Sequence, residues 1–338
     1  MTDRRAQIAG FLAATDWSDA SLAPLAGDAS ARRYYRLHHR GRSAVLMDAP
    51  PGTDTSTTAF LTIAEWLTKA GFSAPLVLHQ NPSIGLLLIE DFGDALFANL
   101  TSRAPDRELS LYRAATDVLI SLDAAPAPDL PHFSAATMSS QIDLLFDWYA
   151  TGLNASFTPL EKTAIQAALE TALHTLAGPN TILLRDFHAE NLIWLPDRVG
   201  IARVGLLDFQ DAMIGPAGYD LVSLLWDARR DVSQATIDQM VQHFADATGR
   251  SLTDTQTAFA VIGLQRNLRI LGIFARLCLR DGKSRYIDFI PRVYRYVQTS
   301  LRHPSLADLN RMLATRLPEP TPQNLDRLRQ QCATAPTR

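Results

Sequence analysis

Lysine is almost missing from this chain. Of its 32 basic residues only Lys69, Lys162 and Lys283 are lysines, so chemistry that needs an ammonium group must use one of these or do without. Cysteine is as scarce. Cys278 and Cys332 stand alone, far apart and outside any CxxC or Cys/His ligand spacing, which argues against a disulfide framework or a structural zinc site. There is no cationic excess: the net charge is −3, which speaks against nucleic-acid binding driven by counterion release. No run approaches about 18 uninterrupted apolar residues, so no membrane span is expected. GxG is absent too, which removes the dinucleotide fingerprint and the glycine loop of protein kinases. Gly282-Lys283-Ser284 resembles the end of a P-loop, but Leu277 occupies the place of the required first glycine. Neither GxSxG nor HExxH occurs.

What remains is a chain of 338 residues, 47% apolar, enough for one large domain or two lobes with a sizeable core. Arg4-Arg5 followed by the apolar stretch from Ile8 to Ala14 looks superficially like an export signal. The run is short and lacks a small-residue cleavage site, so an amphipathic helix over residues 1–15 and a cytoplasmic protein are expected. Residues 34–38 and 44–47 are β-prone runs around a turn at His39–Arg42. Phe60, Ile63, Ala64 and Leu67 share one face of a helix from Thr58 to Ala70, and Gly71 stops it. Strands are expected at 75–79 and 86–89, and helix dominates 105–177. A strand-rich insert follows at 182–185, 192–195 and 204–207, and helices run from 218 to the end. This predicts an α+β chain of two lobes, a small β-rich N-lobe over 1–91 and a helical C-lobe over 92–338, with Ile89–Asp94 as connector.

The strongest chemical signal is Arg185-Asp186-Phe187-His188-Ala189-Glu190-Asn191, followed by Leu206-Leu207-Asp208-Phe209-Gln210-Asp211. Phosphoryl transfer to a hydroxyl needs such a set: an aspartate to take the proton, and hard oxygen ligands to hold magnesium against phosphates. Asp186 fits the first role, Asn191 and Asp208 the second. Asp220 stands near the start of an apolar helix, where it either favours the helix dipole by about 0.3–1 kcal/mol or anchors the catalytic loop.

With those residues in view, the chain resembles the aminoglycoside phosphotransferase-like branch of the protein kinase-like fold. Within it, the chain looks most like bacterial kinases of cell-wall recycling that phosphorylate the anomeric hydroxyl of N-acetylmuramate and N-acetylglucosamine. The resemblance rests on 27–36, Val45–Pro51, Asp186–Asn191, Asp208–Ala212 and Gly263–Leu277, and spans about residues 20 to 295. It implies ATP and magnesium as cofactors, Asp186 as base, Asn191 and Asp208 as metal ligands, and His188 and Asp220 as structural support. It also implies that Asp28, Ala29, Ser30, Arg32 and Arg33 cover the phosphates, and that Glu90, Asp91 and Phe92 offer backbone groups to adenine. The expected partner is a small sugar, with no nucleic acid or membrane, and the protein is expected to be a monomer or weak dimer.

Two departures from the family matter. Leu184 stands where many relatives have histidine. The strand lysine that usually grips the phosphates falls at Met47, and Lys69, at the end of a helix, is a poor substitute. Either arginine and backbone amides hold the phosphates, with Arg32 and Arg33 as the cations, or the protein is a silent nucleotide binder. Glu65, without a strand lysine to pair with, is expected on a solvated helix face. Arg266, Arg269, Arg276 and Arg280 form a stripe that reads either as a solvated face or, through Gln265-Arg266-Asn267, as part of an acceptor site. Trp148 and Tyr149 read as sugar-stacking or core aromatics, Trp226 and Phe274 as core. An amino-alcohol or aminoglycoside kinase is the competing reading. A cationic aminoglycoside wants an acidic groove, and the arginine stripe speaks against one.

Overall fold

The computed structural model describes residues 4–25, 32–51 and 57–335. In chain order its elements are α1 (Arg4–Ala13), β1 (Ser21–Leu25), β2 (Arg33–His39), β3 (Arg42–Asp48), α2 (Thr57–Lys69), β4 (Val77–Asn81) and β5 (Leu86–Glu90). Next come α3 (Phe97–Arg103), α4 (Glu108–Ala124), α5 (Ala135–Ser140), α6 (Pro159–His174), β6 (Asn180–Leu183), β7 (Leu192–Trp194), β8 (Val204–Leu206) and β9 (Met213–Pro216). The last are α7 (Tyr219–Leu225), α8 (Gln234–Thr248), α9 (Leu252–Leu279), α10 (Ile290–Leu301), α11 (Ala307–Leu313) and α12 (Pro322–Gln330). They fall into two compact units: Met1–Ser121 with Leu184–Ala212, and Leu122–Leu183 with Met213–Arg338. The main sheet ends at Glu90, and residues 92–121 and 184–212 belong to the same unit as that sheet rather than to the helical one.

The first unit is built on a five-stranded antiparallel sheet of order β1-β2-β3-β5-β4. Alternation sorts its side chains. Leu37, Ala44, Leu46, Leu86 and Leu88 turn to one face and cluster with Phe11 and Leu12 of α1 and with Trp17. Val45, Met47, Leu87 and Ile89 turn to the other and are also buried. The hairpin between β4 and β5 closes on Gly85, whose φ is +68°. Its carbonyl accepts from Ala49 N–H at 2.9 Å, and a Cβ there would lie 1.8 Å from the Ala49 carbonyl oxygen. Because that neighbour is backbone, Gly85→Ala is expected to cost about 2–3 kcal/mol, read as a lower denaturation midpoint at unchanged slope.

The second unit is helical, with the small β6–β9 ladder at its edge. Its centre is α9, in which nineteen of 28 residues are buried. By length and composition α9 could cross a membrane, but most of its apolar window is buried inside this unit, as a core helix requires. Trp226 and Phe274 are core, as expected. The arginine stripe is not a solvated face: Arg266 is buried, and Arg269, Arg276 and Arg280 are half-buried. The guanidinium of Arg266 donates to Ser223 Oγ at 2.5 Å and lies 5.4 Å over the Tyr219 ring, fastening α7 to α9. Asn267 is fully buried and donates to the Gly263 carbonyl one turn back.

Asp231 ties the segment before α8 to α10, accepting from Arg292 at 2.7 and 2.9 Å and from Arg295 at 2.6 Å. Those guanidinium groups lower its carboxyl to about 2. The folded value lies below the unfolded one, about 3.9. The pairing therefore stabilises above roughly pH 4 and is lost as pH falls toward about 2. Asp231→Asn is expected to lower the melting temperature at pH 6 and to flatten its decline between pH 4 and pH 2, measured by calorimetry.

Candidate active site

The catalytic-loop motif sits in the first unit, between Leu184 and β7. Leu184 is buried and packs as an apolar side chain. The loop is held by its own backbone: Asp186 N–H donates to Leu184 O (2.9 Å), His188 N–H to Asp186 O (3.2 Å) and Asn191 N–H to His188 O (2.8 Å). Arg185 adopts φ +70°, a left-handed conformation that a non-glycine residue takes at a cost and that turns the chain tightly before Asp186. External ties fix the loop further, with Ala98 N–H donating to Ala189 O (3.0 Å) and Leu207 N–H to Asn191 O (3.0 Å). The second of these places Asp208 one residue beyond the partner of Asn191.

Side chains then define the donor set. The Asn191 amide Nδ2 donates to the Asp186 carbonyl at 2.9 Å and lies 3.5 Å from His188 Nε2, so Oδ1 is the side-chain atom that could serve a cation. His188 is buried, the setting of a structural imidazole. Asp208 also sits in the left-handed region, at φ +56°. Its Oδ1 accepts from Gln210 Nε2 at 2.8 Å and lies 3.6 Å from Arg32 Nη1. Phe209, fully buried, stacks on Phe60 of α2 at 5.0 Å and pins the turn. The Asp208 carboxyl is raised above its ordinary value, chiefly by desolvation. Asp186 and Asp211 push the same way, while Gln210 and Arg32 oppose. A carboxylate desolvated beside two other carboxylates is a setting that favours a bound cation. Among the described residues no three His, Cys, Asp or Glu side chains cluster as a metal cage. Two oxygen donors fit magnesium, which keeps several waters and shares phosphate oxygens.

Arg32 is among the cations expected at the phosphates, and Tyr34 beside it is an addition that no motif marks. Tyr34 lies opposite Met47 across the β2–β3 ladder, so both point to the same face. Arg32, two residues before Tyr34, reaches that face as well and is buried, with its guanidinium beside Asp208. The Tyr34 phenol, raised by desolvation, interacts with both Arg32 and Asp208. A cation therefore stands beside the place where a lysine at 47 would project. Arg33 is exposed at the start of β2. Glu65 pairs with Lys69 at 2.5 Å on an exposed helix face, so this acid and this lysine are spent on each other at the surface.

The other expected site residues fall as follows. Asp28, Ala29 and Ser30 lie outside the described residues. Glu90 bonds Arg198 at 2.5 Å, and Asp91 accepts from Arg36 at 3.0 Å and from Gly93 N–H at 2.9 Å. Phe92 lies under the Arg198 guanidinium and against Gly205, where a Cβ would come within 2.8 Å of its ring. These side chains brace the strand end, so any contact with a nucleotide falls to backbone. Asp220, buried in α7, belongs to the second unit, as do Arg266, Asn267 and the half-buried Trp148. Tyr149 beside Trp148 is core, its hydroxyl donating to Pro318 O at 2.7 Å.

The chain matches the model of the phosphotransferase enzyme family over residues 21–253. An N-acetylmuramate/N-acetylglucosamine kinase of Caulobacter vibrioides is 36% identical over 91% of this chain and 95% of its own length. A kinase of the same name from Pseudomonas putida is 33% identical over 87% and 88%. Among solved structures, a choline/ethanolamine kinase family protein of Mesorhizobium loti superposes with a TM-score of 0.63 over 96% of this chain and 99% of its own, at 14% identity. The choline kinase LicA of Streptococcus pneumoniae gives 0.62 over 90% and 99%, at 13%. The fold is that of the kinase-like phosphotransferases, and with the family model matching residues 21–253 the chain belongs to the phosphotransferase enzyme family.

Proposed function

We propose that this chain is an ATP- and magnesium-dependent kinase that phosphorylates the anomeric hydroxyl of N-acetylmuramate or N-acetylglucosamine, serving peptidoglycan recycling in the cytoplasm. One observation carries the reading: Asp186, Asn191 and Asp208 lie on two hydrogen-bonded turns of one unit, with the Asn191 amide tied to the Asp186 backbone and Leu207 tied to Asn191. The names of the 33–36% identical relatives supply the sugar.

In this reading Asp186 accepts the proton of the sugar hydroxyl as its oxygen forms a bond to the γ-phosphorus, and the bond to the bridging oxygen of ADP breaks. Asn191 and Asp208 would hold magnesium, which supplies charge neutralisation on the phosphates. Gln210 positions the Asp208 carboxylate, and Arg32 faces the phosphate tail in place of the missing lysine. Asp28, Ala29, Ser30 and Arg33 complete the phosphate cover, and backbone groups of Glu90–Phe92 meet adenine. His188 and Asp220 support the loop. Arg266, Asn267 and Trp148 are the proposed acceptor-side residues. Catalysis is then mostly positioning and electrostatics. The protein acts as a monomer or weak dimer.

The test is a panel of acceptors with labelled ATP: N-acetylmuramate, N-acetylglucosamine, choline, ethanolamine and an aminoglycoside. Transfer to the two sugars with loss of their reducing ends supports anomeric phosphorylation. Transfer to choline or the aminoglycoside instead, or product that still reduces, overturns it. No ATP-dependent transfer to any member would favour a silent nucleotide binder.

A further inference from the structure

The two cysteines, 54 positions apart in the sequence, meet in the folded second unit. After α12 the chain runs back along the end of α9. Ala333 N–H donates to the Cys278 carbonyl at 3.0 Å and Ala335 N–H to the Leu279 carbonyl at 3.0 Å. The Cys332 thiol reaches the same Cys278 carbonyl at 3.1 Å, and the Cys278 thiol points to the Leu328 carbonyl at 3.6 Å. α12 is seated by Leu328, fully buried, whose side chain lies where a Cβ on Gly152 would come within 2.8 Å of it. Gln331 adds a bond to the Gly152 carbonyl at 2.9 Å. The close pair is thus held by a defined turn rather than by two loose ends. Both thiols are free.

We propose that Cys278 and Cys332 form a reversible thiol–disulfide site, closed by a low-molecular-weight disulfide such as oxidised glutathione, that staples the C-terminal segment to the end of α9. Cys332 is half-buried and Cys278 buried, so Cys332 is the point of attack. The Cys332 thiolate displaces one glutathione from its disulfide, giving a mixed disulfide on Cys332 and one glutathione thiol. Cys278 then loses its proton and attacks the Cys332 sulfur, and the second glutathione leaves as a thiol. Two protein thiols are oxidised, and one external disulfide is reduced to two thiols. Burial, the largest cause, holds the Cys278 thiol above its ordinary range and persists when Cys332 is in the mixed disulfide, which makes the second step the slower one. The cross-link would close a loop of more than fifty residues, a constraint felt mainly by the unfolded chain.

The experiment treats the full chain with excess oxidised glutathione and reads intact mass without reduction. Expected are a loss of about 2 Da, a non-reduced peptide pair joining Cys278 to Cys332, and a melting temperature higher by about 5 °C that dithiothreitol reverses. Cys332→Ser, at a half-buried position in the last segment, should fold normally and show none of the three. A glutathione adduct that persists on Cys332, a cross-link between two chains, or an unchanged mass each overturns the proposal. The outcome is independent of which sugar, if any, the protein phosphorylates.

Discussion

Asp186→Asn is expected to lower turnover by about 10²–10⁴-fold while nucleotide affinity stays within about twofold. Asparagine keeps the size of the side chain, and the backbone bonds through Leu184 and His188 that shape the loop do not use it. Asn191 is held by the Asp186 carbonyl rather than its carboxylate, so the metal-side donor keeps its position in the variant. The loss is then confined to proton acceptance and to the negative charge beside Asp208. Steady-state kinetics on the best sugar of the panel, with calorimetric titration of magnesium–nucleotide, separate the two. Full activity in the variant would remove Asp186 from the chemistry. A matching loss of nucleotide affinity would instead assign it to binding.

The architecture was legible where pattern and element coincide. Phe60, Ile63, Ala64 and Leu67 marked the buried face of α2, and the β-prone runs at 34–38 and 44–47 became β2 and β3. The turn that carries Asp186 and Asn191 was legible because its residues are close in sequence. What was not legible depends on register or on long-range return of the chain. β1 is an exception, since residues 22–48 favour strands as a whole, and its Pro24 is tolerated because the strand is at the sheet edge. β9 is four residues long and contains Gly215 and Pro216, which read as breakers until β6 pairs with them. Arg266 read either as one member of a solvated stripe or, with Gln265 and Asn267, as part of an acceptor site. Only the packing of α7 supplies the hydroxyl and ring that let it be buried. The meeting of Cys278 and Cys332 needed the whole path of α10 to α12 and had no local signature.

Arg32→Met is expected to lower turnover by about 10²–10³-fold, the size of losing one preorganised electrostatic contact to the transferring group. Methionine keeps most of the volume of a side chain that is buried against Tyr34 and Asp208, so the loss should be electrical rather than structural, which circular dichroism and the melting temperature check. The family's lysine position offers a stricter test. Met47 lies on the neighbouring strand opposite Tyr34, fully buried on the face that Arg32 reaches. Met47→Lys alone should reduce activity and stability, because it buries a second cation beside the first. In the Arg32→Met background the same lysine has a vacant electrostatic role beside Asp208 and should restore at least about tenfold of the lost turnover. The two substitutions touch one site, so their effects should be strongly non-additive. If the double variant instead shows the plain product of the two single losses, Arg32 does not stand in for the absent lysine, and the phosphates are gripped by other groups.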